Sequence, residues 1–153
     1  MAALQYTDWD VSQQHANVIK ENWPAGVTVR KPVVLKNIPG VTGKRITETI
    51  KSGIWIKPLG SSPGRTFSGV RDVVRRSLVV VVSWTTTGQS MGATDYEAIR
   101  DMIRDLFQDR RSTGLDGEMF SSTAMTDYDI DDTARRKYDV DLIQIQTTFR
   151  EDR

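Results

Sequence analysis

The residue types that could support catalysis or metal binding are few, because the chain has a single histidine, His15, and no cysteine. One histidine excludes a two-histidine metal site, and the lack of cysteine excludes thiolate nucleophiles, disulfides, iron–sulfur clusters and cysteine-type zinc sites. A Ser-His-Asp arrangement would need a nucleophile elbow, and the sequence around Ser12 has no such motif. His15 falls on the apolar face of a predicted helix, which indicates a packed or partly buried ring.

A run of acidic residues near the C-terminus contains Asp127, Asp129, Asp131 and Asp132. Aspartates at alternate positions match the first ligands of an EF-hand calcium loop, but the sixth position is Asp132 where that loop needs glycine. The twelfth position is Tyr138, where a bidentate glutamate is required. The run therefore predicts solvated charges. An enzyme remains an alternative, in which one of these carboxyl groups holds a proton and a second is ionised.

The segment 60–72, GSSPGRTFSGVRD, is rich in glycine and serine but lacks the G-x-x-x-x-G-K-[ST] spacing of a phosphate-binding loop. Its glycines and proline predict a flexible loop between two strands. We expect this loop to become ordered against a neighbouring subunit, with Arg65 and Phe67 as interface residues. In a second interpretation the chain is a binding adaptor that holds a peptide or small ligand with the same loop.

Length and composition predict one globular structural domain over residues 1–153, with 38% hydrophobic and 27% charged residues. The net charge of +1 gives no basic excess, so sequence-specific nucleic-acid binding is not expected, and the four tryptophans are expected to anchor a core or an interface. The longest apolar run, 78–82, is too short to span a bilayer, and no secretory signal opens the chain. We expect no membrane partner and synthesis in the cytoplasm.

Apolar periodicity predicts two main helices. The first covers 8–22, is capped by Thr7 or Asp8, and has its apolar residues on one face. The second covers 95–108, where Thr94 and Glu97 form a T-x-x-E capping box and the apolar stripe is expected to lie across a sheet. A shorter helix is predicted within 42–52.

Several segments are predicted to be extended, namely 27–38, 54–59, 73–85, 119–130 and 140–149. The run at 78–82 indicates a central strand that is covered on both faces. The last two segments are predicted to be antiparallel neighbours. Together these elements predict an α+β fold, with a mostly antiparallel sheet, a long helix packed on one face and an N-terminal helix.

The last two strands are joined by the charged segment DDTARRKYD, whose length predicts a projecting hairpin at about 127–141. Its long basic side chains, Arg135, Arg136 and Lys137, are predicted interface residues. Unpaired strand edges and projecting segments invite pairing with another chain, so these features favour assembly.

This order of elements resembles the tail-terminator and tail-completion (neck) proteins of tailed bacteriophages. The resemblance rests on the strand 78–84, the helix 95–107 and the closing strand 140–149, about half of the chain, and the region 31–60 departs from it by being longer and more irregular. It implies a structural virion protein without catalytic activity or cofactor. Such proteins form a ring, expected here to be hexameric, that caps the tail tube.

The resemblance further implies contacts with the tail tube protein and with the head–tail connector, in the neck or tail of the virion. A head-completion or connector protein of the phage neck is an alternative, as is a non-viral binding adaptor.

Overall fold

The structure of the protein is a computed structural model, which describes residues 7–27, 29–67, 70–84, 93–109, 118–124 and 128–152. At 61–67, 70–72, 84, 93–94, 108–109, 118–124 and 149–152 it describes the backbone. Within these ranges the elements in chain order are α1 Asp8–Glu21, β1 Val33–Val34, β2 Val41–Thr42, β3 Arg45–Ile46, β4 Gly53–Phe67, β5 Val70–Trp84, α2 Ala93–Asp109, β6 Glu118–Ala124, β7 Asp129–Ile130, α3 Asp132–Lys137 and β8 Tyr138–Asp152.

The larger sheet has five strands in the order β1-β4-β5-β8-β6. Only the pairing of the short β1 with β4 is parallel, and the other three pairings are antiparallel. A smaller sheet contains β2, β3 and β7. The predicted α+β fold with a mostly antiparallel sheet is therefore confirmed, as is the antiparallel pairing of the closing strand β8 with the polar strand β6.

The central sheet is buried on both faces. Residues 78–82 of β5 are at most 2% exposed, which confirms the prediction from their continuous apolar run. On one face, α1 and α2 pack in a core cluster with Val79, Val81 and Ile143. On the other face, Leu78, Val80 and Leu142 pack with residues of the smaller sheet and α3.

The tryptophans with described side chains support these two cores. Trp9 and Trp23 pack against the helix-side cluster, and Trp55 packs against the opposite cluster, all three being partly buried. Trp84 ends β5, and its side chain lies outside the described residues.

Helix α1 matches its predicted span and begins with a complete capping box. The Asp10 backbone N–H donates to Thr7 Oγ1 at 3.1 Å, and the Thr7 N–H donates to the Asp10 carboxylate at 3.1 Å. Thr7→Ala removes the first of these bonds and is expected to lower the free energy of unfolding by about 1 kcal/mol. Thr7→Ser, which keeps the acceptor, should lower it much less. Urea titrations of both variants and the wild-type chain measure the difference.

Helix α2 also matches its predicted span, but the predicted capping box at its start is wrong. The helix begins at Ala93, so Thr94 lies inside the first turn and not at the N-cap. Its apolar residues Tyr96, Ile99, Ile103 and Phe107 are buried in the helix-side core, as the predicted stripe requires.

The predicted helix at 42–52 is wrong. The segment forms β2, a tight turn at Gly43 with φ +58°, and β3, which pairs with β7. Gly40, with φ +90°, lies so close to Ile50 that an added Cβ would be 2.3 Å from the Ile50 nitrogen. Close backbone packing and strand pairing therefore override the helical spacing of Ile46 and Ile50, both of which are buried.

The predicted hairpin at about 127–141 is also wrong. Residues 132–137 form the short helix α3, which has Asp132 in its first turn and its three basic residues in its last turn. This charge order complements the helix dipole. Ala134 is fully buried in the core on that face, which fixes α3 against the sheet instead of letting it project.

Candidate assembly surface

Three strands of the central sheet are much longer than is usual. Strands β4, β5 and β8 have 15 residues each, or about 50 Å at 3.3 Å per residue, whereas most strands have about five or six residues. The predicted flexible loop at 60–72 is therefore wrong where it is described, because 60–67 and 70–72 belong to two paired strands. Glycine and proline are accommodated there by two register shifts, between Pro58 and Gly60 and between Pro63 and Thr66.

The far ends of these strands form an extension of the sheet. We define the distal extension as residues 60–67 of β4, 70–76 of β5 and 146–152 of β8. Helix α1 reaches this level through Asp8, whose carboxylate accepts from Arg75 Nη1 at 2.8 Å. Beyond Arg75 and its register partner Thr147, β5 and β8 each continue for five residues, or about 17 Å.

The outer edge of β4 has a described partner over only a short length. Strand β1 pairs with Trp55 and Ile56, and the Leu35 N–H donates to the Ile56 carbonyl at 2.8 Å. From Lys57 to Phe67 no other described strand pairs with this outer edge.

Two prolines interrupt this open edge. Because the Ile56 carbonyl points outward, the alternation of a strand makes position 58 point outward as well. The bulge at Leu59 shifts the alternation by one, so that position 63 again points outward. Pro58 and Pro63 thus lack N–H groups where a further strand would need them, which restrains unspecific strand addition.

Arg65 and Phe67, the first predicted interface residues, lie in the distal extension. Phe67 is in register with Val70, while Arg65 falls within the shift between Pro63 and Thr66 and has no register partner. Their side chains lie outside the described residues. Both residues belong to β4, so the predicted loop is wrong at these two positions.

Arg135, Arg136 and Lys137, the other predicted interface residues, lie at the opposite end of the sheet. All three are exposed in the last turn of α3, and Arg135 Nε donates to the Ile130 carbonyl at 3.2 Å. Strand β8 starts directly after them, and its last residues, 146–152, belong to the distal extension. The structure therefore does not bring the two sets together, and about 45 Å of strand separates them.

A buried hydrogen-bond network joins α1 to the centre of the sheet. His15 Nδ1 lies 2.7 Å from Ser77 Oγ, and His15 Nε2 lies 2.6 Å from Thr147 Oγ1. Ser12 Oγ lies 2.7 Å from Ser77 Oγ, and all four residues are 0% exposed. Burial lowers the pKa of His15 to about 3, so the ring is neutral at physiological pH.

This network stabilises the fold, because it links α1 to the sheet inside the core. The prediction of a packed His15 is confirmed, and its ring meets Phe107 edge-on at a centroid distance of 5.6 Å. A substrate cannot reach side chains without solvent exposure, although a Ser–His pair is present. Ser77 and Thr147 were not among the residues singled out from the sequence, but both continue the core-facing alternation of Val79 and Ile145, where a polar residue signals a buried hydrogen-bond partner.

A polar cavity of about 300 Å³ opens at the end of the sheet opposite to the distal extension. It lies between the first turns of α2 and the ends of β5 and β8, and its lining comprises Val81, Ser83, Tyr96, Glu97, Arg100, Asp139, Val140 and Asp141. Arg100 spans the wall, with Nη1 3.4 Å from the Asp141 carboxylate and Nε 3.1 Å from Asp101. The hydrogen bond to Asp101 raises the pKa of the Arg100 guanidinium, which stays charged.

Metal-binding clusters and membrane-spanning helices are both absent from the described ranges. No three histidine, aspartate or glutamate side chains in these ranges are grouped so that they could hold a metal ion. The described helices include none with the length and apolar character needed to cross a membrane.

Comparison with known proteins adds no family to these observations. Neither the models of protein families nor the curated protein sequences that were searched match this chain.

Proposed function

We propose that the protein is a structural subunit that assembles into a ring in the neck of a tailed bacteriophage, where it caps the tail tube and joins it to the head–tail connector. The distal extension is the observation that carries this proposal. The resemblance of the element order to tail-terminator proteins supplies the specific role.

The distal extension is unusual for a protein that acts alone. Its strands continue about 17 Å past the ion pair between Asp8 and Arg75, and the two core clusters end at Leu78 on β5 and Ile145 on β8. A strip of sheet is stable when a helix or another sheet covers it. Val73 is covered within the chain, at 7% exposed, and packing against a neighbouring subunit would cover the strands beyond it.

The two ends of the sheet differ, so a contact between unlike ends of two subunits would be directional. The distal extension lies at one end, and α3 with the polar cavity lies at the other. When one end of a subunit contacts the other end of the next, the contact is heterologous, and it closes into a ring if the rotation allows. A head-completion subunit of the same neck would use the same kind of contact and differs in the partners above and below.

The virion role is tested by its location and copy number. Particles made by cells that carry the encoding genome are purified on a density gradient, and peptides of this chain are quantified by mass spectrometry. We expect about six copies per particle, with antibody label at the head–tail junction. Abundant protein in the lysate together with none in the purified particles would exclude the role.

A further inference from the structure

The exposed face of α2 carries a line of like charges. Glu97, Asp101 and Asp105 follow one another at intervals of four residues and are all exposed. Like charges at this spacing destabilise a helix. Asp101 is neutralised in part by Arg100, whereas Glu97 and Asp105 form no ion pair with any side chain that the structure describes.

The polar cavity continues this charged line onto the sheet. Glu97 belongs to both, and Asp139 and Asp141 line the cavity from the start of β8. We call Glu97, Asp101, Asp105, Asp139 and Asp141 the acidic face. Arg100 pairs with Asp101, and Arg100 and Arg104 both pair with Asp141, so the net negative charge of this face comes from Glu97, Asp105 and Asp139. A cavity of about 300 Å³ is at the lower limit for a small-molecule site, so it suits a single side chain from a partner.

The opposite end of the same sheet is basic. The distal extension contains five arginines and three carboxylates, the arginines being Arg65, Arg71, Arg75, Arg76 and Arg150, of which Arg75 is paired with Asp8 of α1. Along β8, the cavity carboxylate of Asp141 lies about 30 Å from the level of Arg65, which falls between the register partners of Phe149 and Glu151. Their charges complement each other across two copies.

We propose that the acidic face of one subunit binds the distal extension of a second copy of this chain, with an arginine of the extension entering the polar cavity. Arg65 suits this contact because it lies near the tip of β4, in a register shift without a cross-strand partner. The inference rests on the proposed ring and names the two surfaces that form it. Opposite charges on the two surfaces favour contact between unlike ends of two subunits, and like charges disfavour contact between two identical ends.

Charge reversal on each surface tests the contact. The face variant changes the acidic face by Glu97→Lys and Asp105→Lys and leaves the pair between Arg100 and Asp101 intact. The tip variant changes the distal extension by Arg65→Glu and Arg71→Glu. Each is expected to weaken association about tenfold or more in sedimentation velocity at 100 mM salt. Matched controls on other exposed sites, Asp132→Lys and Arg30→Glu, should leave association unchanged.

Combining the variants distinguishes this contact from others. A chain that carries all four reversals has both charges exchanged and should assemble again. An equal mixture of face and tip variants should also assemble, with the two chains alternating, because both contacts between unlike chains then pair opposite charges, whereas each variant alone should not. If the wild-type chain assembles and both reversed variants assemble equally well, the named surfaces are wrong and the ring stands. A wild-type chain that stays monomeric would overturn the ring and this inference together.

Discussion

Lowering the pH from 7 to 5 is expected to destabilise the native chain by about 2 kcal/mol through His15 alone. In the folded state burial lowers the pKa of His15 to about 3, whereas in the unfolded state the ring takes up a proton near its ordinary pKa of 6.5. The unfolded state therefore binds more protons between these two values, and stability is lost as the pH falls through this window. Above the unfolded pKa the contribution is fully present, and below about pH 3 no further loss arises from this group.

His15→Leu isolates this contribution, because aspartates and glutamates titrate equally in both chains. At pH 7 the variant should be less stable by about 1 to 3 kcal/mol, since Thr147 loses its buried hydrogen-bond partner. Urea titrations from pH 8 to pH 4 should show this difference shrinking as the pH falls. Ile19→Val, at a buried position of the same helix without a proton to bind, should give a constant difference. A His15→Leu difference that does not change with pH would contradict a buried, neutral ring.

The helices and the central strand could be predicted because their signals are local. The apolar residues of α1 and α2 recur with the helical period, and 78–82 is a continuous apolar run, so each pattern specifies its own buried face. His15 was placed correctly for the same reason. Its partners were not, because Ser77 and Thr147 lie 62 and 132 residues away in sequence, and only the sheet register aligns them.

The candidate surface could be predicted less well because it depends on pairing between distant segments. Glycine, serine and proline at 60–67 favour a loop locally, but pairing with β5 and the placement of Pro58 and Pro63 on an outer edge permit a strand. The exposed charges of 132–137 predict a projecting hairpin. The segment instead forms a short helix that packs on the sheet, because Ala134 is buried. A single alanine in a polar segment is too weak a pattern to predict this packing.

Shortening the β4–β5 hairpin is expected to abolish assembly while the core stays folded. Ser62 and Val74 are register partners, so replacing residues 63–73 with Asn-Gly gives a two-residue hairpin turn between them. The deletion removes Arg65, Phe67 and Arg71, together with Val73, which is 7% exposed. Loss of this valine is expected to cost about 1 to 2 kcal/mol, leaving a folded chain by circular dichroism. The full-length Lys51→Ala chain, altered at an exposed site away from the extension, serves as the control.

The distal extension is expected to hold copies of this chain together, and the mass of the native particle decides whether it does. Sedimentation velocity and native mass spectrometry of the full-length protein should give a closed assembly of six 17.3 kDa chains, about 104 kDa, and the shortened chain should sediment as a monomer. A full-length chain that remains monomeric at about 100 μM would contradict the claim, since that concentration exceeds the dissociation constant of specific protein interfaces. An assembly that persists unchanged after the hairpin is shortened would contradict it equally.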